Sequence, residues 1–266
     1  MTTKKFLFLL LLVSTLLPVM PAGAQSATDM DWEGTLNNKI RFSMCTSLHD
    51  VESGLVMGEM RYAGGSGDIL LLGSWKGEHL YLKEMLPDGT VSGIMNGTVR
   101  DDVFTGQWQA PDKIVQKGDV FSAKEGKTYA LQAQYLKQGC ETNRVWSFDP
   151  DRVAGTYQYS YGKNSAIGTL TVRNEGNGNI AFQIDTSTGA PSFNMARVPD
   201  SDTEDGVWAK GHIEGNRLLY EIDENCAFSM TFFRNFVRIQ HPDDRVCMGM
   251  FGMGAGVAGD FVKLEQ

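Results

Sequence analysis

The sequence predicts an all-β protein built from two antiparallel β-meander modules, each a curled sheet or a small barrel. Three observations support this fold class. Short apolar runs broken by glycine or polar turns fill residues 69–108, apolar and polar side chains alternate within those runs, and the same rhythm restarts after Asp149-Pro150-Asp151. Alternation places successive side chains on opposite faces of a strand, which is typical of antiparallel sheets.

Residues 69–108 show the pattern most clearly. Leu80 and Leu82 alternate with Tyr81 and Lys83, so this run is predicted to be a strand with one apolar face. Pro87-Asp88-Gly89 follows directly. Proline fixes φ at the first turn position and glycine supplies a positive φ, so these three residues predict a hairpin turn.

Glycines inside the predicted strands indicate strong curvature. Gly73, Gly93 and Gly106 interrupt otherwise apolar runs, Asn96-Gly97 is a further turn or bulge signal, and Asp101-Asp102 makes a polar break. Glycine weakens a strand but permits bulges and sharp coiling. This spacing therefore favours a curled sheet or small barrel over a flat sheet.

The other strands follow from the same criteria in chain order. Asn37-Asn38 predicts a turn between the first two strands, and Arg234-Asn235 predicts another near the end of the chain. The run 129–136 alternates like a strand, although its Ala, Leu, Gln and Lys residues also suit a short helix, and its neighbours favour the strand. The remaining predicted strands lie in residues 32–48, 54–62, 120–121, 153–159, 166–172, 180–184, 207–213, 218–222, 226–233, 236–240 and 261–262.

The predicted organisation has four parts: a signal peptide (1–24), an N-terminal β module (25–126), a connection (127–152) and a C-terminal β module (153–266). Lys4 and Lys5 precede the short apolar segment 6–17, and Ala22-Gly23-Ala24 is a small-residue cleavage site. These are the features of a secretory signal. No later stretch has the roughly 20 apolar residues of a membrane span, so we expect a periplasmic or secreted protein.

The charge argues against a nucleic-acid partner. The full chain carries a net charge of −8, and removal of residues 1–24 leaves 22 basic against 32 acidic residues, a net charge of −10. Affinity for nucleic acid depends on Lys and Arg side chains that neutralise phosphates. An acidic chain instead indicates a solvated surface or a basic partner.

Four cysteines, Cys45, Cys140, Cys226 and Cys247, predict disulfides in an exported chain, and four cysteines allow three connectivities. We expect Cys226 to pair with Cys247, which closes a short loop around the Arg234-Asn235 turn, and Cys45 to pair with Cys140. The alternative pairings would tie the two modules together. Neither a CxxC motif nor a Cys/His pair at zinc-ligand spacing occurs.

Two sets of short motifs resemble a known group of proteins. The first set lies in the N-terminal module and the second in the C-terminal module. They are residues 32–35 (WEGT), 69–73 (ILLLG), 80–84 (LYLKE) and 104–108 (FTGQW), then 155–157 (GTY), 226–232 (CAFSMTF), 237–239 (VRI), 247–249 (CMG) and 259–263 (GDFVK). Together they resemble uncharacterised exported β-strand-rich proteins of Gram-negative, Bacteroidetes-type bacteria, some of them loosely labelled lysozyme-inhibitor-like. The resemblance implies a β-rich exported protein and carries over no catalytic residue.

Tyr157, Tyr159 and Tyr161 are the candidate binding residues, because they alternate on one face of a predicted strand. Exposed, they would form a platform for a sugar or a protein; buried, they would belong to the core. Tyrosine is frequent at interfaces because it is amphipathic.

Other residue patterns favour structural roles. The four histidines (His49, His79, His212 and His241) have no metal-ligand spacing. The acidic loop with Asp200, Asp202, Glu204 and Asp205 starts like a calcium loop, but Gly206 and Gly211 fall where such a loop needs other residues. Met248, Met250 and Met253 suit either soft copper or the packing of irregular gaps. We therefore expect no metal and no cofactor.

The sequence favours a non-catalytic binding or inhibitor-type protein that acts on an envelope or extracellular protein or glycan. The first alternative is a hydrolase of envelope polymers that uses paired carboxylates, such as Glu84 with Asp88 or Glu221 with Asp223. The second is a metal-handling protein built on the methionine-rich tail. No catalytic motif such as GxSxG occurs in the chain.

Overall fold

The computed structural model describes residues 28–50, 53–111, 114–117, 120–123, 127–136, 139–142, 146–162, 165–188, 195–199, 207–242, 247, 251 and 255–265. Nineteen strands lie in these ranges: β1 (Thr28–Leu36), β2 (Ile40–Asp50), β3 (Leu55–Tyr62), β4 (Ile69–Lys76), β5 (His79–Met85), β6 (Val91–Arg100), β7 (Val103–Gln109), β8 (Ile114–Lys117), β9 (Val120–Ala123), β10 (Thr128–Tyr135), β11 (Gly155–Ser160), β12 (Ile167–Gly176), β13 (Asn179–Ser187), β14 (Met195–Val198), β15 (Ala209–His212), β16 (Arg217–Asp223), β17 (Cys226–Phe232), β18 (Phe236–Gln240) and β19 (Gly259–Lys263). The all-β prediction is confirmed. The expected signal peptide lies outside the described residues.

The first sheet is a closed antiparallel barrel of eight strands, in the order β1-β10-β7-β6-β5-β4-β3-β2. Strands β8 and β9 form a separate two-stranded antiparallel sheet. The barrel closes where β1 pairs with β10, with Trp32 opposite Tyr135. Because β10 is the closing strand, the barrel extends past the expected module boundary at residue 126.

Tight turns and glycines produce the curvature that the sequence indicates. Asn37 and Asn38 both have positive φ (50° and 55°) in the three-residue connection between β1 and β2, where the Lys39 amide donates to the Leu36 carbonyl oxygen. Gly89 has φ 78°, and Asp88 accepts a 2.9 Å hydrogen bond from the Thr90 amide in the same turn. At Gly73 a Cβ atom would lie 1.8 Å from the Tyr81 carbonyl oxygen, so only glycine permits this close approach of β4 and β5.

The second sheet has nine strands, runs β14-β13-β12-β11-β19-β18-β17-β16, and carries β15 beside β13. It curls around an aromatic interior, where the Phe182 and Tyr220 ring centroids lie 5.1 Å apart and those of Tyr220 and Phe228 lie 5.3 Å apart. Every residue of β17 except Thr231 is buried. This strand therefore packs on both of its faces.

Two hydrophobic clusters follow from this arrangement. One fills the barrel interior around Trp32, Met44, Leu82, Met95 and Phe104. The other combines residues of the second sheet with side chains that point outward from the barrel, and the barrel contributes Leu55, Met57, Leu72, Met85, Val91 and Ile94. The outer wall of the barrel and the second sheet thus share one core.

Disulfides join Cys45 to Cys140 and Cys226 to Cys247, so the two disulfides that the sequence predicts are present. The first connects β2 to the segment that follows the barrel. The second connects the start of β17 to the residues beyond β18, with Cα atoms 4.2 Å apart.

Candidate functional site

The contact between the barrel and the second sheet centres on a buried group of three charges. Asp260 on β19 accepts a 2.5 Å hydrogen bond from Lys83 Nζ on β5 and a 2.6 Å hydrogen bond from Arg238 Nε on β18. Side-chain exposure is only 9% for Lys83, 11% for Arg238 and 5% for Asp260. Arg238 also reaches across to the Gly73 carbonyl oxygen of the barrel, 3.4 Å from Nη2.

The electrostatics of this group follow from its geometry. Burial alone would raise the pKa of Asp260, but the Arg238 guanidinium and the Lys83 ammonium outweigh it and hold that pKa well below its usual range. The carboxylate is ionised and saturated with donors. The charged group therefore fixes the barrel against β18 and β19, and it also fixes the walls of the cleft beside them.

A cleft of about 550 Å³ opens between the barrel and the second sheet. This volume lies within the range of about 300–1,000 Å³ that is usual for small-ligand sites. One wall belongs to the barrel and includes Glu59, Asp68, Leu70, Met85, Leu86 and Pro87. The other wall belongs to the second sheet and its turns, and includes Arg152, Gly155, Arg234, Val262, Lys263 and Glu265.

Three cations stand on the second-sheet wall, and each is positioned by a different element. Arg152 ends a short 3₁₀ turn (Pro150–Arg152), Arg234 lies in the β17–β18 turn, and Lys263 ends β19. Lys263 Nζ donates to the Arg152 carbonyl oxygen and lies 5.5 Å from the centroid of the Tyr157 ring. Burial, and secondarily the positive charge of Arg152, lower the pKa of Lys263.

Two acids stand on the barrel wall. Glu59 is half-buried on the outer face of β3, between neighbours that point into the barrel. Asp68 is exposed before β4 and forms an ion pair with Arg61 at 2.7 Å. Within the described part of the chain, no ion pair of 4.0 Å or less joins the two walls. The cleft therefore has two acids on the barrel wall, and three cations with one acid, Glu265, on the second-sheet wall.

A second polar group lies inside the barrel. Glu84 Oε1 accepts hydrogen bonds from Tyr62 Oη at 2.5 Å and Trp108 Nε1 at 2.7 Å, and Oε2 accepts one from Ser92 Oγ at 3.2 Å. Gly93 makes room for this group, since a Cβ atom there would lie 2.2 Å from Trp108 Nε1. Burial raises the pKa of Glu84, and the three hydrogen bonds oppose that effect. The carboxyl is held firmly by the barrel.

The three candidate tyrosines do not form a surface platform. Tyr157, Tyr159 and Tyr161 are 1%, 4% and 4% exposed, so the surface interpretation is wrong and the core interpretation is correct. The reason is the curl of the second sheet, which turns this face inward against Phe261, with the Tyr159 and Phe261 centroids 4.9 Å apart. Burial raises the pKa of all three hydroxyls. None of the three lines the cleft, although Tyr157 lies beneath Lys263, whose Nζ is 5.5 Å from the ring centroid.

The carboxylate pairs that the sequence suggests for a hydrolase lie outside the cleft. Glu84 is inside the barrel, whereas Asp88 is exposed and binds the Thr90 amide in its own turn. Glu221 and Asp223 are exposed on β16. None of these four acids lines the cleft.

Two of the histidines make packing or backbone contacts within the fold. His49 stacks on Trp146, with centroids 4.1 Å apart, and His241 Nδ1 lies 2.9 Å from the Ala227 carbonyl oxygen. Among the described residues, no three His, Cys, Asp or Glu side chains come together as a metal site. The acidic loop residues Asp200, Asp202, Glu204 and Asp205 and the methionines Met248, Met250 and Met253 lie outside the described residues.

Comparison with protein-family models, curated proteins and solved structures finds no match. In the part of the chain that the structure describes, no helix is long and apolar enough to cross a membrane. The cleft residues Glu59, Arg152, Arg234 and Lys263 are not identified by the sequence. Each occupies an ordinary turn or strand position, and only the packing of the barrel on the second sheet brings them together.

Proposed function

We propose that this protein is a non-catalytic binding or inhibitor-type protein, and that the cleft between the barrel and the second sheet is its ligand site. The observation that carries the proposal is the 550 Å³ cleft, which has charged groups on both walls and, among the described residues, no ion pair between the walls. A concave site with a few convergent polar groups is where ligands usually bind. The ligand is an envelope or extracellular protein or glycan.

The rigidity of the walls supports a binding role. The barrel is closed, and the Lys83–Asp260–Arg238 group holds the second sheet to it. One disulfide ties the middle of β2 to the segment after the barrel, and the other ties the start of β17 to the residues beyond β18. A site whose groups are fixed before the ligand arrives loses less entropy on binding. Disulfides are characteristic of oxidising compartments, which supports a periplasmic or extracellular location.

The experiment blocks the cleft. Ala154 is exposed on the second-sheet wall, so Ala154→Trp fills the opening, and Ala130→Trp on the exposed side of β10 is the matched control. Immobilised mature proteins are incubated with an extract of the source envelope, and the retained molecules are identified by mass spectrometry. We expect wild type and Ala130→Trp to retain the same molecules and Ala154→Trp to lose them. Retention by all three proteins alike would contradict the proposal.

A further inference from the structure

The walls of the cleft differ in the sign of their net charge. The second-sheet wall carries three cations, Arg152, Arg234 and Lys263, and one acid, Glu265, whereas the barrel wall carries two acids, Glu59 and Asp68. Asp68 is partly neutralised by Arg61, whereas neither Glu59 nor the guanidinium groups of Arg152 and Arg234 form an ion pair with another described residue. The cleft is therefore dipolar.

From this charge separation we infer that the cleft binds a short peptide with free termini. This inference rests on the proposed function and names its ligand class. The carboxylate of the peptide faces Arg234, Arg152 and Lys263, and its ammonium faces Glu59. Arginine suits a carboxylate because its planar group donates two parallel hydrogen bonds.

The lining between the charges suits a peptide chain. Leu70, Met85, Leu86 and Val262 supply apolar surface along the cleft, and Asn235 supplies an amide that pairs with a peptide group. The volume of about 550 Å³ is of the size that a small ligand, or a short segment of a larger one, fills. A neutral glycan would leave the charges of both walls without partners, which is costly once water is displaced.

The separation of the two walls is set by contacts beside the cleft and not by the charges that line it. Opposite charges on facing walls attract each other, yet the Lys83–Asp260–Arg238 group sets the separation of β5 from β19 beside the cleft. A ligand that carries one charge of each sign could pair with both walls across this separation. Such complementarity sets which ligand binds and in which orientation.

The test uses three pools of tripeptides of mixed sequence: one with free termini, one N-acetylated and one C-amidated. Each pool is equilibrated with the immobilised mature protein, and retention is measured by mass spectrometry. We expect each blocked pool to bind about tenfold more weakly than the free pool, because each lacks one charged contact. Equal retention of the three pools, or no retention of the free pool above that of Ala154→Trp, would overturn the inference.

Charge variants assign each terminus to a wall. Arg234→Gln should weaken the free and acetylated pools about tenfold and leave the amidated pool unchanged, and Glu59→Gln should weaken the free and amidated pools and spare the acetylated pool. Arg217→Gln and Glu33→Gln, both at exposed positions outside the cleft, are the matched controls and should behave as wild type. A variant that weakens all pools equally would contradict the assignment.

The outcome separates this inference from the proposed function. Suppose that the peptide pools are not retained, but that molecules from the envelope extract bind wild type and not Ala154→Trp. The cleft is then a ligand site for a different class of molecule. If both fail, the cleft is not the ligand site.

Discussion

Glu84 shows how one buried carboxyl is made compatible with an otherwise apolar barrel. Its two oxygens accept hydrogen bonds from Tyr62, Trp108 and Ser92, and the missing side chain of Gly93 provides the space. Removing the carboxyl would leave buried donors without partners, which costs about 1–3 kcal/mol. The group is therefore a stabilising element of the barrel.

The raised pKa of Glu84 gives a pH-dependent prediction. Its folded pKa lies above its unfolded value of about 4.3. The stability linked to its protonation is therefore fully present below that unfolded value and is lost as the pH rises through the folded pKa. We expect Glu84→Gln to be at least as stable as wild type at pH 8 and to show less decline between pH 5 and pH 8. Urea unfolding at several pH values measures this.

Glu84→Ala provides the complementary comparison. It should lower the free energy of unfolding by about 1–3 kcal/mol at pH 5, because the Tyr62 and Trp108 donors lose their acceptor. An Ala variant as stable as the Gln variant would show that the hydrogen bonds to Glu84 contribute nothing.

At the scale of strands, β5, β18 and β19 meet through Lys83, Arg238 and Asp260. Asp260→Asn would leave two buried cations without a carboxylate, and we expect it to lower the free energy of unfolding by about 3–5 kcal/mol. The matched control is Asp185→Asn, which breaks the exposed Arg197–Asp185 pair and should cost less than about 1 kcal/mol. Similar losses for both variants would contradict this account.

The lowered pKa of Asp260 predicts how its contribution to the free energy of unfolding changes with pH. Its stabilising contribution is fully present above the unfolded value of about 3.9 and is lost as the pH falls below that value toward the folded pKa. The difference between wild type and Asp260→Asn should therefore shrink in acid. Unfolding measured from pH 6 down to pH 2 checks it.

The strands show which parts of the fold can be predicted from the sequence. Alternation and turn residues identify the hairpins of the barrel, as the positive φ values of Asn37, Asn38 and Gly89 illustrate. Closure is not readable, because Trp32 pairs with Tyr135 across most of the barrel sequence. Alternation also cannot tell whether the second face of a strand is exposed. The alternation pattern predicts that Lys83 faces solvent, yet its side chain is buried against the second sheet.

The candidate site is harder to predict than the strands, because non-local pairing brings its residues together. Arg152, Arg234 and Lys263 come from a 3₁₀ turn, a hairpin turn and a strand end, and no local pattern links them. The alternation of the three tyrosines predicts one face of a strand, and Tyr157 and Tyr159 do lie on one face of β11, but the sequence leaves open which way that face points. The curl of the second sheet, set by non-local pairing such as β11 with β19, decides it.

For the whole molecule, the shared core predicts a single unfolding unit. Met57 is fully buried on the outer face of the barrel and belongs to the cluster that includes the second sheet. We expect Met57→Ala to lower stability by about 2–5 kcal/mol. The loss should appear equally in the hydrogen exchange of slow amides in β7 and in β12, because both report the same global opening.

Unequal effects would contradict this expectation. If protection in β12 stayed at the wild-type level while β7 lost it, the two sheets would unfold independently. Met195→Ala is the matched control, since Met195 is 39% exposed and should leave both strands unchanged within about 0.5 kcal/mol.

The contrast between a closed barrel and an open second sheet bears on aggregation. A closed barrel offers no unpaired backbone to another chain, whereas the ends of an open sheet are templates for cross-molecular strand addition. Of the strands described, β14 and β15 both flank β13 at one end of the second sheet, and β16 lies at the other end of the strand order. Strand β14 has four residues and is followed by Pro199, which lacks an amide donor, and β16 exposes Arg217, Glu221 and Asp223. These two strands thus carry features that discourage the addition of a further strand, and with it the growth of fibrous aggregates.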